Sequence, residues 1–200
     1  MENQSDRELM KQVQAGDTGP LAVLFERYNT PLFQYLLHLS RNRAQSEDVV
    51  QEVFFRVLKY AGSYDPRFAF NVWLYRMARN AYFDSQYKRR AEAPGSDLER
   101  FHTDEPAPEE ALARKQETMF LQEALGQLPD DKKEILVLSR FHNMRYEEIA
   151  QILKVEAGTV KVRAYRALKE LREKFSELRE AHRAPGGRSA RSSGDAIYDA

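Results

Sequence analysis

Apolar residues recur at steps of three and four along most of this chain, and strand-like alternation is hard to find, which predicts a helical protein. The clearest such segment covers residues 48–58. Its apolar side should be buried and consists of Val49, Val50, Val53, Phe54, Val57 and Leu58. Its other side presents Asp48, Gln51, Glu52 and Arg56. A mixed-charge face of this kind is usually plain solvated surface, but it also suits docking on a partner.

Residues 5–40 are predicted to form two helices. Ser5 and Glu8 match a capping box, in which each side chain satisfies a backbone donor at the start of a helix. Asp17 is expected to cap the second helix. Pro31 should kink or interrupt that helix, because proline lacks a backbone donor and clashes with the preceding turn.

Two further helices complete the first half of the chain. Ser46 is expected to cap the 48–58 helix. A turn of Tyr, Asp and Pro at residues 64–66 precedes a helix predicted at about residues 69–90. The sequence of residues 91–108 has little to bury, which indicates an extended, mobile linker.

The helical pattern resumes after the linker. Asp131 and Glu134 are expected to cap a short helix. The predicted core of that helix consists of Ile135, Leu136, Leu138 and Phe141. The last helix should end at about Leu178, and the Gly-, Ser- and Arg-rich tail from residue 184 to residue 200 should be disordered.

A helix-turn-helix is predicted from residues 146–153, a turn at 154–157 and a second helix at 158–168. Ala150 and Ala164 are small enough for the two helices to cross closely. The outward-facing residues near the start of the second helix are Thr159, Lys161, Val162, Arg163, Tyr165 and Arg166. The N-terminal part of such a helix enters the major groove, where arginine bonds guanine edges or phosphates. The alternative is an amphipathic helix with a solvated basic face.

Charge is unevenly distributed, although the formal net charge is zero. Residues 76–90 contain five basic residues and one acid, a net +4, and residues 154–174 contain seven basic residues and three acids, again +4. Residues 97–117 contain seven acids and three basic residues, a net −4. Two basic segments separated by an acidic one indicate two polyanion-binding surfaces and a connector that avoids DNA.

The first basic segment is interleaved with aromatic residues, a combination that single-stranded DNA binding needs, because rings stack on bases and cations bind phosphates. The rings are Phe68, Phe70, Trp73, Tyr75, Tyr82, Phe83 and Tyr87. The cations include Arg76, Arg79, Lys88, Arg89 and Arg90. Individual rings, Trp73 among them, are also candidates for the helical core. Asn80 is polar and lies mid-helix, so it is either a surface residue or a contact for an unpaired base.

Taken together, these segments resemble bacterial sigma factors of the extracytoplasmic-function type, the small two-domain class of the sigma-70 family. The resemblance covers about residues 5–90 and 112–175. The motifs that carry it are Asp48-x-x-Gln51-Glu52-x-Phe54, Trp73-Leu74-Tyr75-Arg76-Met77-Ala78-Arg79-Asn80, and Tyr146-Glu147-Glu148-Ile149-Ala150 followed by Gly158-Thr159-Val160-Lys161. It implies an all-α fold of two small helical domains joined by a flexible linker.

The resemblance also implies domain bounds. Residues 1–91 would be sigma region 2, which binds core polymerase and melts the minus-ten element. Residues 112–178 would be sigma region 4 with its helix-turn-helix. Between them, the acidic linker at 92–111 would lie in the polymerase channels and mimic nucleic acid there. Residues 179–200 would form a disordered tail.

Residue roles follow from the same resemblance. The residues facing the coiled-coil clamp of the polymerase large subunit would be Asp48, Gln51, Glu52 and Arg56. Arg79, Asn80 and nearby residues would engage the melted minus-ten element. The residues reading the minus-thirty-five element would be Lys161, Arg163, Tyr165 and Arg166. An anti-sigma factor that wedges between the two domains is the expected regulator.

Three positions depart from the family pattern. Lys154 stands in the helix-turn-helix turn where the family often has glycine, so a left-handed backbone there would be mildly strained. Arg145 replaces the usual Ser or Thr before Tyr146, so Asn143 or water is expected to cap that helix. Val162 stands where serine is common, which is expected to change the minus-thirty-five preference.

Several classes are disfavoured by composition. The absence of cysteine excludes disulfides and cysteine-ligated metal sites. No segment reads as a secretory signal or a membrane span, so a cytoplasmic protein without membrane insertion is expected. The four histidines are scattered, and no glycine loop suits phosphate, so we expect neither enzymatic activity nor a cofactor, a metal or a small-molecule substrate.

Two other interpretations share part of the pattern. A response-regulator or quorum-sensing regulator has a similar C-terminal helix-turn-helix, but it needs an upstream receiver or ligand-sensing domain that this N-terminal half lacks. A protein that binds polymerase without reading DNA would not need the two +4 segments.

Overall fold

The computed structural model describes residues 4–92 and 109–183, with side chains for residues 4–89 and 116–182. The described residues form eight α-helices and no strand, which confirms the predicted all-α class. The helices are α1 (Asp6–Gln14), α2 (Pro20–Ser40), α3 (Arg43–Lys59), α4 (Phe70–Glu92), α5 (Glu109–Gly126), α6 (Asp130–Leu136), α7 (Tyr146–Leu153) and α8 (Ala157–Arg183). A 3-10 turn (Ala61–Ser63) follows α3, and a π-helical segment (Val137–Phe141) follows α6. Within these ranges, no helix combines the length and apolarity that crossing a bilayer requires.

The first four helices form one lobe, called here the N-terminal lobe (residues 4–92). Helices α2 and α4 both pack on α3, and α1 packs on α2. The fully buried centre of this lobe contains Leu32, Leu36, Val53, Val57, Leu74 and Ala78. The predicted buried stripe of α3 is confirmed for its valines and for Phe54, but it is wrong for Leu58, which is 43% exposed.

The first two helices begin in different ways. The Ser5–Glu8 capping box is present: Ser5 Oγ accepts the Glu8 N–H at 3.3 Å, and the Glu8 carboxylate accepts the Ser5 N–H at 2.8 Å. Gly19, not Asp17, occupies the cap position of α2, and Asp17 only accepts the Gly19 N–H. Helix α2 also continues through Pro31, so the expected interruption is wrong. Buried apolar residues on both sides of Pro31 hold the helix together, and tertiary packing outweighs local propensity.

Helix α3 begins before the predicted cap, Ser46. Asn42 is the actual cap, because its backbone is extended and its Oδ1 accepts the Gln45 N–H at 2.9 Å. Ser46 is buried inside the helix and donates its hydroxyl hydrogen to the Asn42 carbonyl at 2.8 Å. Asn42 is itself fixed, since Ser40 Oγ accepts its N–H at 3.0 Å. Helix α3 therefore starts directly after Asn42, the residue that these hydrogen bonds hold in place.

Helices α5 to α8 form the C-terminal lobe (residues 109–183). Helix α8 packs on α5, α6 and α7. The predicted helix-turn-helix is confirmed: α7 has the predicted bounds, and α8 starts one residue before the predicted position. The small residues Ala150 and Ala164 are both buried where the two helices cross, beside the fully buried Ile149 and Val160.

Two predictions about the C-terminal lobe are wrong. Phe141 is 46% exposed rather than part of the core, because the π-helical segment has a wider turn than the α-helix that the periodicity assumed. Helix α8 continues to Arg183, past the predicted end at Leu178, and its His182 ring contacts the Phe120 ring of α5 at 5.1 Å between centroids. The remainder of the predicted linker and tail, residues 93–108 and 184–200, lies outside the described residues.

The turn between α7 and α8 contains the left-handed residue that the sequence suggested. Lys154 has φ 55° and ψ 49°, and its N–H closes α7 by donating to the Ala150 carbonyl. An L-residue in this conformation loses roughly 1–2 kcal/mol relative to a right-handed one. Lys154 is exposed, so its side chain contributes little packing that a substitution would remove.

We therefore expect Lys154→Gly to raise the free energy of unfolding by about 0.5–1 kcal/mol, because relief of the left-handed strain exceeds the extra unfolded-state entropy of glycine. Urea unfolding followed by circular dichroism measures the change. Lys169→Gly, an exposed position inside α8, is the control and should lower the stability by about 1 kcal/mol. A stability loss with both variants would contradict the account of the turn.

Candidate docking surface and nucleic-acid interfaces

The outer face of α3 presents the residues that the sequence marked for docking. Asp48, Gln51 and Glu52 are exposed. Arg56 differs from them, because its side chain is 26% exposed and is held by two carboxylates of its own lobe. Its Nε lies 2.6 Å from Glu52, and its Nη1 lies 3.4 Å from Asp84 on α4. The arginine is therefore partly neutralised, and the face offers mainly acidic and amide groups.

Two apolar side chains lie on the same face, and the sequence interpretation missed both. Phe55 is 61% exposed, and Leu58 is 43% exposed. Phe55 follows Gln51 by four residues and Glu52 by three, so it falls on their side of the helix. This spacing was a usable signal, because a large ring on the polar side of an amphipathic helix breaks the pattern. We call Asp48, Gln51, Glu52, Phe55 and Leu58 the α3 face.

The basic and aromatic side chains predicted to bind single-stranded DNA lie partly in the core of the N-terminal lobe and partly on its surface. Phe70, Tyr75 and Tyr82 are 3%, 3% and 4% exposed, so these rings are core and cannot stack on bases. Trp73 is half-buried and contacts the rings of Tyr64 and Phe70. The surface side chains in the described part of the first basic segment include Arg76, Asn80, Lys88 and Arg89, and the exposed rings are Phe68 and Tyr87. The side chain of Arg90 lies outside the described residues.

Phe68 borders an open cleft of about 410 Å³ at the start of α4. Its walls are formed by Asp6, Arg7, Tyr28, Tyr64, Phe68, Ala69, Phe70, Asn71 and Glu148. Asp6 is not a free charge here, because Arg27 lies 2.7 Å from one carboxylate oxygen and Tyr28 donates to the other. Burial and this hydrogen bond raise the pKa of Tyr28, which keeps its hydroxyl protonated. The cleft combines aromatic walls with one half-exposed ring, that of Phe68.

The start of α8 is open to solvent. Val162 is 49% exposed and Tyr165 is 73% exposed, and the cations around them are exposed as well: Lys161, Arg163 and Arg166. Thr159 is half-buried. Among the described residues, Lys161, Arg163 and Arg166 have no ion-pair partner. These cations are available to a polyanion.

The start of α7 is stabilised by a residue other than the expected Asn143. The Arg145 N–H donates to the Glu148 carboxylate at 2.9 Å, so a side chain from inside the first turn satisfies the backbone donor. Asn143 instead has a left-handed backbone with φ 50°.

The two lobes meet at a buried carboxylate. Glu134 of α6, predicted to cap its helix, is 1% exposed and accepts the hydroxyl hydrogen of Tyr35 from α2 at 2.8 Å. Arg79 Nε lies 3.0 Å from one Glu134 carboxylate oxygen and donates to the other at 3.1 Å. Burial raises the pKa of Glu134, and the charge of Arg79 opposes that shift. The helix-capping prediction for Glu134 is wrong because its partners lie in the other lobe.

A second polar contact lies beside the first. Tyr75 Oη and His142 Nδ1 are 2.9 Å apart, and the Tyr35 ring packs edge-on against the Tyr75 ring. Burial lowers the pKa of His142 to about 4, with a smaller contribution from His38, so this imidazole is neutral at pH 7. The Arg79 guanidinium also lies over the Phe83 ring at 4.9 Å. The surface predicted to meet DNA thus overlaps the contact between the lobes.

Family models match both lobes. The sigma-70 region 2 model matches residues 24–92, and the sigma-70 region 4 model matches residues 119–171. A helical lobe of the first kind followed by a helix-turn-helix lobe of the second kind defines a sigma factor, a class of transcription initiation factors.

Individual relatives narrow the class. The chain is 30% identical over 170 residues to RNA polymerase sigma factor CarQ of Myxococcus xanthus, with 84% of this chain and 97% of CarQ covered. It is 29% identical over 179 residues to ECF RNA polymerase sigma factor SigW of Bacillus subtilis (strain 168), with 84% and 96% covered. The chain belongs to the extracytoplasmic-function group of the sigma-70 family.

A solved structure agrees with this assignment. CnrH in complex with the cytosolic domain of CnrY is similar to this protein with a TM-score of 0.65 and 26% sequence identity. The match covers 89% of this chain and 99% of that chain. The likeness therefore includes both lobes.

Proposed function

We propose that this protein binds core RNA polymerase through the α3 face and gives the polymerase promoter specificity through α4 and α8. The observation that carries the proposal is the exposure of both the α3 face and the start of α8, on lobes that match sigma regions 2 and 4. Apolar Phe55 and Leu58 beside acidic Asp48 and Glu52 give a surface suited to a helical partner with basic and apolar residues.

The minus-thirty-five element is the proposed target of α8. Lys161, Arg163, Tyr165 and Arg166 project from the part of the helix that enters a major groove. Arginine is the side chain best suited to paired acceptors on guanine, whereas lysine binds phosphate as a point charge. Thr159 is half-buried, which suits a phosphate contact from the helix start more than a base contact.

The minus-ten element is the proposed target of α4 and its preceding turn. Arg76, Asn80, Lys88 and Arg89 supply cations and an amide along one helix, and Arg79 and Arg90 belong to the same segment. The Phe68 cleft has room for an unstacked base, which a ring can stabilise by roughly 1–3 kcal/mol through stacking. Capture of such bases would favour the open strands.

We expect Phe68→Ala to reduce promoter opening by the full protein on core polymerase by roughly 5- to 150-fold, the equivalent of about 1–3 kcal/mol of lost stacking. A fluorescent base analogue in the minus-ten element measures opening directly. Phe68 is 49% exposed on a turn, so the fold should tolerate the change. Phe68→Tyr keeps the ring and should open normally; equal opening by all three proteins would remove the cleft from the mechanism.

The proposed partners also set the place and the mode of action. Core polymerase and promoter DNA are encountered in the bacterial cytoplasm, so we infer that the protein works there and contributes specificity rather than catalysis of its own. CnrH, its structural neighbour, is bound by a cytosolic domain of another protein. We infer a comparable partner for this chain, an anti-sigma factor that holds both lobes.

A footprinting experiment tests the proposal. The full chain is mixed with core polymerase and selected against genomic DNA fragments, and protection is mapped on the enriched fragments. Two protected elements about three helical turns or less apart, with unpaired bases in the downstream one, support a sigma factor. Protection of a single palindromic site by the chain alone would instead support a conventional helix-turn-helix regulator.

A further inference from the structure

The carboxylate of Glu134 is the most deeply buried charge at the contact between the lobes. It is 1% exposed and has three polar contacts from two side chains of the N-terminal lobe, one from Tyr35 and two from Arg79. A carboxylate buried to this extent is stable only while its partners are present. The burial of the Glu134 carboxylate is therefore favourable only while the two lobes are in contact.

Other polar contacts also join the two lobes. Tyr75 and His142 meet at 2.9 Å, and Arg41 Nη2 donates to the Gln122 carbonyl at 2.9 Å. The Arg41 guanidinium also lies directly against Gly126, where there is no side chain to displace it. We call the arrangement in which the two lobes touch the closed arrangement; it contains the buried ion pair of Glu134 and Arg79 and further polar contacts between the lobes.

The closed arrangement conflicts with DNA binding at two points on the N-terminal lobe. The Arg79 guanidinium, proposed to meet the minus-ten strand, is bound to Glu134 and is only 32% exposed. The carboxylate of Glu148 from α7 lies in the Phe68 cleft, where its Oε1 accepts from Asn71 Nδ2 at 3.4 Å. A nucleic-acid strand approaching α4 would meet a cation, Arg79, that Glu134 of the C-terminal lobe already occupies, and the negative charge of Glu148 from the same lobe.

We propose that Glu134 is an internal latch that closes the free protein by occupying Arg79, so that closure and binding of the minus-ten strand are mutually exclusive. The proposal rests on the proposed function of α4 as the minus-ten surface. When the lobes separate, a DNA phosphate replaces the Glu134 carboxylate on the Arg79 guanidinium, and Glu148 leaves the Phe68 cleft. Because a buried ion pair gains little over its two solvated charges, the latch is reversible.

The absence of cysteine makes the lobe separation measurable, since two dyes can be attached at introduced cysteines. Lys11→Cys on α1 and Gln151→Cys on α7 are exposed positions on opposite lobes. Glu134→Gln removes the charge and keeps the shape. Asp131→Asn, an exposed carboxylate on the same helix, is the matched control.

We expect Glu134→Gln to lower energy transfer between the dyes and to raise the affinity of the free full-length chain for a single-stranded minus-ten oligonucleotide by about tenfold, within the 5- to 150-fold range of typical site coupling. Asp131→Asn should change neither quantity. Equal energy transfer and equal affinity in the Glu134→Gln and Asp131→Asn proteins, with unchanged helix content, would overturn the latch.

A disulfide lock gives an independent test that does not alter Glu134. Asn71→Cys with Glu148→Cys places one thiol on each of the two elements whose side chains meet in the closed arrangement. Oxidation should lower oligonucleotide affinity by about tenfold or more, and reduction by dithiothreitol should restore it. Full binding by the oxidised, cross-linked protein would also overturn the latch. If no variant binds the oligonucleotide while the dyes still report opening, the proposed role of α4 is wrong and the latch stands as a lobe contact alone.

Discussion

Reversal of the charge at Asp48, by Asp48→Arg, is expected to weaken binding to core RNA polymerase by about 30-fold or more, which corresponds to roughly 2–5 kcal/mol for replacing an attraction with a repulsion. Asp48 is exposed, and within the described residues it forms no ion pair, so the reversal should leave the fold intact. Its neighbours on the α3 face include Phe55, which is 61% exposed and offers an apolar contact to a partner. Titration of a labelled chain with core polymerase measures the change.

The control for this prediction is the same charge change on the other lobe. Glu177→Arg alters an exposed residue of α8 and should bind core polymerase normally. Circular dichroism on both variants verifies that helix content is retained. If Asp48→Arg binds as tightly as Glu177→Arg, the α3 face is ordinary solvated surface and polymerase docks elsewhere.

The second large effect is expected at the start of α8. Arg163→Glu should lower promoter binding by the reconstituted polymerase by about 5- to 150-fold, since a good arginine–guanine pair contributes about 1–3 kcal/mol. Arg163 is exposed and has no ion-pair partner among the described residues, so the variant loses a DNA contact and no contact within the protein. Binding to core polymerase should not change. Filter binding with intact and minus-thirty-five-scrambled promoters gives both quantities.

The variant Lys169→Glu distinguishes base-specific recognition of DNA from nonspecific electrostatic binding. Lys169 is 70% exposed on the same helix, about one turn after the last proposed reading residue, Arg166. This reversal should weaken binding modestly and equally on intact and scrambled promoters, with a smaller salt dependence. An equal loss from Arg163→Glu and Lys169→Glu on both promoters would show that α8 contributes charge but no sequence information.

The helix-turn-helix could be predicted from sequence almost to the residue. Its signals are local: an eight-residue helix, a turn with a left-handed residue, and alanines where two helices cross. Ala150 and Ala164 are indeed buried at that crossing. Such patterns predict the structure well because the residues that interact lie within about 20 positions of one another along the chain.

The start of α3 shows where local signals are ambiguous. Asn42 and Ser46 both have side chains that can cap a helix. The choice of Asn42 depends on Ser40, whose hydroxyl oxygen accepts the Asn42 N–H and whose own position is set by the end of α2. Propensity alone ranks the two residues nearly equally, so packing decides.

Glu134 shows what sequence cannot provide. Its position near the start of α6 suggested a cap, yet its partners Tyr35 and Arg79 lie 99 and 55 residues away along the chain. The spacing of apolar and polar residues around position 134 does not predict a contact with another lobe. The same holds for the core rings of α4, since an aromatic residue between basic ones suits stacking on either protein or DNA until burial is known.

Transcription from a defined promoter by purified core polymerase shows whether this protein gives the polymerase promoter specificity. Core polymerase is mixed with the full chain and with a fragment that its holoenzyme selects, and the run-off transcripts are sized. We expect transcripts of one discrete length that require the added chain and disappear with Asp48→Arg. Specific DNA binding by the chain without any chain-dependent transcript would contradict this expectation.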